Sequence, residues 1–386
     1  MKQFLIFAVK PVCYNSYLYF ARSLAKALTN AGHHAELFSC EQEPPEAMER
    51  FAGRSYDAVF DFNSELPRLR MEDGSYFLDQ IHAPFYDILL DHPLYHHDTL
   101  KQRISDFHVL CLDEHHIHYV RGCYPHIKSA ELFPVTGEDI VPTDDAYPAK
   151  DLDVLFSGTY TNYREIEASI QTIPSFLGDL TKQLIHLMSE QPALTQEDAL
   201  RLLLPSLEES EIIEETFPLH MQACFLCDSY LRAYKREKLL LHLAENHIPF
   251  TICGNGFSHS PLADFKQVRI IDDLSFSDTF ALFRRSKITL NLLPEFKNGT
   301  HDRIYSSMLN HSLCLTDASP LLQRQFTDGK ELLFYTYEHP DQLTDLIFDL
   351  LSSDCRVKEI SQNGYFCAKE NHSWQARAAL LLSIVK

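Results

Sequence analysis

The stretch LNLLPEFKNGTHDRIYSSMLNHSLCLTD, from Leu290 to Asp317, holds the pattern that decides the fold. It begins as an apolar strand, breaks at an Asn-Gly-Thr turn, and enters a helix that carries His301, Asp302 and Arg303 at its start. It then returns to a second apolar strand. A strand, a helix and a strand in immediate succession indicate the βαβ unit of a parallel sheet.

The same alternation of apolar strands and amphipathic helices runs through most of the chain. Its 386 residues are too many for one ordinary core and suit two domains. A polar, proline-bearing stretch, TGEDIVPTDDAYPAK, interrupts the pattern and is the best linker candidate. We therefore predict an α/β fold of two βα domains, residues 1–145 and 150–372, closed by a helix over 373–386. The strongly helical region of about 165–245 is longer than one crossover needs, and we interpret it as an insertion in the second domain.

The charge balance excludes some classes of partner. There are 34 Lys and Arg against 54 Asp and Glu, a formal net charge of -20, so we expect no general binding of nucleic acid. No apolar run approaches the roughly 18 residues that a membrane span needs. We see no signal-peptide pattern before the first strand, and several of the ten cysteines lie in apolar strand-like runs. We expect a cytoplasmic protein with reduced thiols.

Two glycine-bearing loops follow predicted strands of the second domain. Ser157-Gly158-Thr159 comes after DVLF, and Gly254-Asn255-Gly256 comes after FTIC. Glycine at such a place lets backbone N–H groups approach a phosphate or sugar, so we predict ligand binding by Gly158, Thr159, Gly254 and Asn255. The alternative for the first loop is a turn that merely needs glycine. A hairpin is disfavoured for the second, because the next segment, FSHSPLADF, lacks a strand pattern.

The loop after the first strand, residues 10–16, contains no glycine at all. A dinucleotide-binding loop would need GxGxxG at this place, because the chain must turn tightly and approach a pyrophosphate there. The sequence therefore argues against a dinucleotide in the first domain, and we predict no cofactor.

The turn at Asn298-Gly299-Thr300 is the third strand-end loop. Its Asn or Thr side chain can cap the helix and leave backbone donors free for an anion. Arg303 lies in the first helical turn, where a cation opposes the helix dipole and needs a compensating partner. A bound phosphate would supply one through a forked contact, whereas the alternative is a salt bridge to Asp302 or Glu295. With three such loops in one domain, the anion pocket is the favoured interpretation.

The segment Asp91-His92-Pro93 follows a short apolar run and is expected at a strand end of the first domain. A histidine beside a carboxylate suits general base work, so His92 is our candidate base. The alternative is a histidine that only completes a turn.

Two other segments carry metal-ligand residue types. The run DEHHIH at 113–118 opens an otherwise ordinary helix, and its three histidines do not share one helix face. The CFLC at 224–227 has no second pair at zinc-site spacing, which favours a buried pair of thiols. We predict no metal site.

Several motifs resemble those of the CgeB-like glycosyltransferases, a two-domain family of the GT-B type. In the second domain they are DVLFSGTY, ITLNLLPEFKNGTHDRIYSSMLNHSLCLTD, FTDGKELLFY and NHSWQARAALLL. In the first domain the likeness is looser and rests on LLDHPLYHH, FHVLCLDEHHIHYV and LFPVTG. The helical region of about 165–245 lies outside the resemblance.

The resemblance implies two Rossmann-like domains that face a central cleft, with a nucleotide-sugar held mainly by the second domain and the acceptor by the first. Gly158 and its neighbours would line the phosphate side. Residues 298–303, including His301 and Arg303, would lie beside the diphosphate and the sugar. The implied activity is transfer of a sugar, such as a hexose from a UDP-sugar, to a protein, glycan or small-molecule acceptor. We expect the transfer to be metal-independent, with the departing diphosphate stabilised by helix termini and Arg303.

The stereochemical course stays open at this point. An inverting reaction needs a base, for which His92 is our choice, whereas a retaining reaction does not. Two other functions also remain: a nucleotide-sugar epimerase on the same pair of domains, and a non-catalytic nucleotide-sugar-binding module.

Overall fold

The computed structural model describes residues 1–9, 15–141, 146–204 and 211–385 of the chain. Most of the glycine-free loop and part of the predicted linker, residues 10–14 and 142–145, lie outside the described residues. The chain divides into two compact units. The first comprises Met1–Val135, Pro205–Gln222 and Trp374–Lys386, and the second comprises Thr136–Leu204 and Ala223–Ser373.

The first unit is built on six parallel strands with helices between them. The strands are β1 (Gln3–Ala8), β2 (His34–Ser39), β3 (Ala58–Phe62), β4 (Phe85–Ile88), β5 (Phe107–Cys111) and β6 (Ser129–Leu132). The α-helices that connect these strands are α1 (Ser16–Asn30), α2 (His97–Leu100) and α3 (Glu114–Cys123). The strands lie in the order β2-β1-β3-β4-β5-β6, and every neighbouring pair is parallel.

The second unit repeats this plan with a longer helical segment. After β7 (Leu152–Ser157) come α4 (Tyr163–Thr172), α5 (Ser175–Glu190), α6 (Gln196–Leu203), α7 (Glu211–Ala223) and α8 (Phe225–Glu245). Of these, nearly all of α7 belongs to the first unit. There follow β8 (Phe250–Cys253), β9 (Val268–Ile271), α9 (Asp278–Arg285), β10 (Ser286–Asn291), α10 (Asp302–Leu309), β11 (Leu313–Asp317), α11 (Pro320–Gln325), β12 (Leu333–Tyr335), α12 (Pro340–Leu351) and α13 (Asp354–Asn371). The strand order is β12-β11-β10-β7-β8-β9, again all parallel.

Burial on both faces explains why these strands are almost continuously apolar. In the second unit Ile252, Ile288, Leu313 and Leu315 have no exposed surface, and helices α8, α12 and α13 supply the side chains that cover them. The prediction of two Rossmann-like α/β units is thereby confirmed.

The order of the strands indicates where a ligand would bind in the second unit. In the second unit the chain proceeds outward from β7 through β8 to β9, then returns to β10 and proceeds outward the other way. Ligands of open α/β sheets bind beyond the carboxyl ends of the strands at such a reversal. The loops that follow β7 and β10 are therefore the first place to look.

The last helix, α14 (Trp374–Ile384), belongs to the first unit. Its Trp374 ring packs against Phe20 of α1, with centroids 6.0 Å apart, and the Lys2 ammonium donates to the carbonyl of Val385 at 2.9 Å. No helix in the described part of the chain is both long and apolar enough to cross a bilayer.

Candidate active site

The loops at the reversal of the second sheet are joined by one side chain. Arg303, in the first turn of α10, donates a guanidinium hydrogen bond to the main-chain carbonyl of Ser157, the last residue of β7. No described carboxylate forms an ion pair with Arg303, so the predicted alternative of a salt bridge to Asp302 or Glu295 is not what the structure has. The guanidinium therefore contacts the chain at the end of β7, where the next loop begins.

The loops after β7 and β8 meet at two glycines. Gly158 N–H donates to Cys253 O at 3.0 Å, and a Cβ on Gly254 would lie 1.9 Å from Gly158 O. Gly254 also has a φ of +136°, a conformation that side chains rarely adopt. A Cβ on Gly158 would lie 3.1 Å from an Arg303 guanidinium nitrogen. The three predicted residues Gly158, Gly254 and Arg303 are thus brought together.

A buried carboxylate fixes the chain just beyond Gly158. Glu237 of α8 is 1% exposed and accepts hydrogen bonds from the Tyr160 hydroxyl and the Arg164 guanidinium, both at 2.8 Å. Tyr160 N–H donates to Asn255 O at 2.9 Å, and Asn255 Oδ1 accepts from Asp273 N–H at 2.9 Å. Exposed Thr159 lies within this braced turn. The sequence gives no signal for Glu237, which looks like any acid of a charged helix.

The connection from β10 to α10 is anchored at three points. Leu293 N–H donates to the Asp317 carboxylate at 2.8 Å, and the Ser319 hydroxyl donates to Gly299 O at 2.6 Å. The Lys297 ammonium donates to Pro192 O at 2.7 Å. These contacts hold the Asn298-Gly299-Thr300 turn in place.

The start of α10 differs from the predicted cap. His301, with an extended backbone, occupies the position before the helix, and the Thr300 hydroxyl makes no hydrogen bond with any described residue. His301 Nδ1 lies 2.7 Å from Asp302 Oδ1 and 3.3 Å from Arg303 N. The N-cap position is therefore His301, and not Asn298 or Thr300 as predicted. Although burial opposes it, the positive charges of His301 and then Arg303 lower the pKa of the Asp302 carboxyl.

Buried charges surround this edge of the sheet. Burial, aided by nearby Lys235, lowers the pKa of Lys297 to about 8, and burial also lowers the pKa of Lys235. Burial raises the pKa of Asp317 to about 7, although Leu293 N–H partly opposes it. Sequence reasoning missed these residues, because side chains on a helix, a loop and a strand end become neighbours only in the folded unit.

Several buried polar atoms here have no hydrogen-bond partner among the described residues. They are Asn291 Oδ1, Glu295 Oε2, Thr300 Oγ1, Asp302 Oδ2 and Arg303 Nε. Asn291, Thr300 and Asp302 are 2%, 1% and 5% exposed. Such atoms are costly unless something satisfies them, and their concentration from the end of β10 to the start of α10 makes this region the candidate site for a polar ligand.

His92 lies in the first unit, just before a short 3-10 helix over Pro93–His96. Its Nδ1 accepts from Leu94 N–H at 2.9 Å. The carboxylate of the neighbouring Asp91 accepts a hydrogen bond from the side-chain amide of Asn63 at 2.9 Å. The neutral His92 ring therefore carries its proton on Nε2, because Nδ1 uses its lone pair.

The metal-ligand types found in the sequence serve other contacts. His116 is buried and its ring lies 4.5 Å from that of His92, and His126 Nε2 contacts the carbonyls of Leu100 and Gln102. Within the described ranges, no three or more His, Cys, Asp or Glu are grouped to hold a metal ion. Cys224 and Cys227 are both buried free thiols, and burial raises the pKa of each.

Known structures share the two-unit fold over its whole length. Sucrose-phosphate synthase from Thermosynechococcus elongatus matches with a TM-score of 0.56 and 10% identity, over 100% of this chain and 98% of that one. T4 phage BGT in complex with UDP-glucose matches with a TM-score of 0.55 and 11% identity, over 100% of this chain and 99% of that one. Anabaena Alr3699/HepE in complex with UDP-glucose matches with a TM-score of 0.54 and 10% identity, over 100% of both chains. The fold is that of the GT-B glycosyltransferases.

The sequence itself gives a narrower match. Residues 232–383 match the family model described as glycosyl transferase-like, a segment that contains β8 to α13 and most of α8. No curated protein matches the chain by sequence. The family match and the fold together support a glycosyltransferase of the GT-B type.

Proposed function

We propose that the protein transfers a sugar from a nucleotide-diphosphate donor, which its second unit binds, to an acceptor. The observation that carries the proposal is the contact of Arg303 with Ser157 O, which holds a guanidinium at the reversal of the sheet. There it lies beside Gly158, where an added Cβ would come within 3.1 Å of an Arg303 guanidinium nitrogen, so the glycine makes room for the arginine. Thr300 Oγ1, three residues earlier in the chain, is a buried atom with no hydrogen-bond partner among the described residues. The glycosyl transferase-like match covers Arg303 and Gly254.

The proposed chemistry is loss of the diphosphate without a metal ion. Negative charge grows on the diphosphate as its bond to the sugar breaks, and preorganised donors stabilise such charge best. The N-terminus of α10 supplies backbone N–H groups, and Arg303 supplies a charged donor. The motifs shared with the CgeB-like branch support assignment to that branch and to the hexosyltransferase class.

On the acceptor side we keep His92 as the candidate catalytic residue. In the geometry observed, its Nε2–H would orient an acceptor hydroxyl by donating to it. A base at Nε2 requires release of the Leu94 N–H when the acceptor binds. The acceptor is a protein, a glycan or a small molecule, and the nine described cysteines, all free thiols, fit a cytoplasmic reaction.

The first experiment is a thermal-shift screen with UDP-glucose, GDP-mannose and TDP-glucose, because a ligand that binds only the folded state raises the melting temperature. The best ligand is then incubated with the protein without an acceptor. A transferase gives slow hydrolysis, an epimerase gives a rearranged sugar, and a binding module gives neither. If no nucleotide-sugar raises the melting temperature, the proposed function is wrong.

A further inference from the structure

The ring of His301 has a fixed protonation pattern. Two groups approach Nδ1: Asp302 Oδ1 at 2.7 Å and Arg303 N–H at 3.3 Å. Nδ1 cannot donate to the first and accept from the second in the same state. The pKa of the Asp302 carboxyl lies below its usual range, so at neutral pH that carboxyl is ionised and has no proton to give. Nδ1 therefore carries the proton, and the shorter contact is the hydrogen bond.

The other ring nitrogen is left for a ligand. A neutral imidazole with its proton on Nδ1 presents a lone pair at Nε2, on the opposite side of the ring from Asp302. The His301 side chain is 26% exposed, whereas Asp302 is almost wholly buried. The buried acid thus fixes the ring while Nε2 stays reachable. His92 has the reverse arrangement, with the proton on Nε2.

The surroundings of the dyad favour an anion. Arg303 follows in the same helical turn, and the backbone N–H groups at the start of the eight-residue α10 have no helical partner. One nearly buried side chain points independently to a ligand, since Thr300 Oγ1 has no hydrogen-bond partner among the described residues. Next to an anion, a cationic imidazole is favoured over a neutral one.

We propose that His301 is a catalytic residue that becomes an imidazolium when the nucleotide-sugar binds, with Asp302 as its positioning residue. The proposal rests on the proposed function. Nε2 takes up one proton from solvent and donates it in a hydrogen bond to a diphosphate oxygen. As the bond from the anomeric carbon breaks, its electron pair goes to the departing diphosphate oxygen. The imidazolium stabilises that charge, and no proton needs to leave the ring.

Calorimetry can measure how many protons the protein takes up when the nucleotide-sugar binds. Binding of UDP-glucose, or of whichever nucleotide-sugar raises the melting temperature most, is measured at pH 7.5 in two buffers of different ionisation enthalpy. A diphosphate linked to a sugar has no group that titrates near neutrality, so any proton taken up belongs to the protein. We expect net uptake by the wild type, none by His301→Gln, and reduced uptake by Asp302→Asn.

Other titratable groups near the site require controls. They are Asp317, with a pKa of about 7, Lys297, with a pKa of about 8, and Glu295. The loop Ser157-Gly158-Thr159 contributes no acid or base. Asp317→Asn, Lys297→Met and Glu295→Gln are therefore measured alongside, and each variant that binds should still show the uptake of His301.

The outcomes separate this proposal from the proposed function. If the wild type binds the nucleotide-sugar with no proton uptake, or if uptake survives in His301→Gln, the dyad proposal is wrong while nucleotide-sugar binding stands. If Asp317→Asn alone removes the uptake, the proton belongs to Asp317. Once turnover is found, His301→Gln should lower kcat by about 100-fold with a much smaller change in KM, as expected for a donor that acts on developing charge.

Discussion

The guanidinium of Arg303 donates to the carbonyl of Ser157 across 146 residues of chain. The two residues flank the reversal of the second sheet, because Ser157 ends β7 and Arg303 follows the connection from β10. Parallel pairing aligns these strands, with Leu290 opposite Phe156. A single side chain therefore fixes the separation of the two loops between which we place the diphosphate.

Replacing Arg303 with alanine should weaken the binding of the best nucleotide-sugar by about 1.5–3 kcal/mol, the range for a hydrogen bond that involves a charged group. Calorimetric titration measures the loss. Arg269→Ala, which removes an exposed arginine of β9, is the matched control and should bind as the wild type does. Equal affinity in Arg303→Ala would remove Arg303 from the site.

Gly254→Ala should destabilise the protein and disturb the loop after β7. Its added methyl would lie 1.9 Å from Gly158 O, and its backbone has a φ of +136°. Gly329→Ala is the control, since Gly329 also has a positive φ, +76°, but an added Cβ there meets nothing within 4 Å. We expect Gly254→Ala to cost about 1–3 kcal/mol more in chemical denaturation than the control, because backbone and loop must shift. Similar losses in both variants would show that the close approach is unimportant.

The first unit should lose stability as pH rises from about 4 to about 7. Asp61 is 1% exposed, and burial raises the pKa of its carboxyl to about 7, although Ser64 and Phe62 donate hydrogen bonds to it. Over this interval the folded state keeps a proton that the unfolded state has released, so the free energy of unfolding falls with pH and levels off above 7. Linkage gives a loss of about 4 kcal/mol over the whole interval.

Chemical denaturation at pH 5 and at pH 8 measures this difference. Asp61→Asn has no carboxyl to titrate and should show a smaller difference than the wild type, while Glu49→Gln, at an exposed position, should keep the wild-type difference. Some difference will persist in Asp61→Asn, because burial also raises the pKa of Asp87. An unchanged pH dependence in Asp61→Asn would contradict the assignment.

The role of His92 is tested by replacing it with glutamine and with alanine once an acceptor is known. A glutamine amide can donate a hydrogen bond but cannot take a proton at neutral pH. If His92 orients the acceptor by donation, His92→Gln should retain most of the transfer rate that His92→Ala loses. A drop of about 10²–10⁴-fold in both variants would instead assign it as the base. Donor hydrolysis without acceptor is the control reaction.

The sequence predicts the sheets well where strands are apolar throughout. The short apolar run before Asp91 predicts a strand end there, whereas β4 is Phe85–Ile88 and ends three residues before Asp91. The reason is Asp87, which interrupts the apolar pattern but stays fully buried and accepts from Ser64 N–H at 3.0 Å. Strand β6 (SAEL) alternates apolar with polar residues and β12 (LFY) has only three residues, so neither shows an apolar run of strand length. Helix α13 was missed because its apolar stripe is weak.

The sequence predicts which loops form the candidate site, but it does not predict the contacts between their side chains. Glycines at strand ends and the polar residues before α10 are visible in the letters of the sequence. The hydrogen bond of Arg303 to Ser157 and the protonation pattern of His301 depend on distances between atoms, so no pattern of residues indicates them. The same holds for the assignment of Pro205–Gln222 and the last helix to the first unit, because both follow long stretches of the second.

The return of α14 to the first unit has a consequence for synthesis on the ribosome. The surface of α1 that receives Trp374 is translated near the beginning, but its cover is translated after residue 373. Until then Phe20 lacks this partner, and a nascent chain with exposed apolar surface is prone to aggregate. The first unit is therefore begun first on the ribosome, but it is completed only after the second unit has been translated.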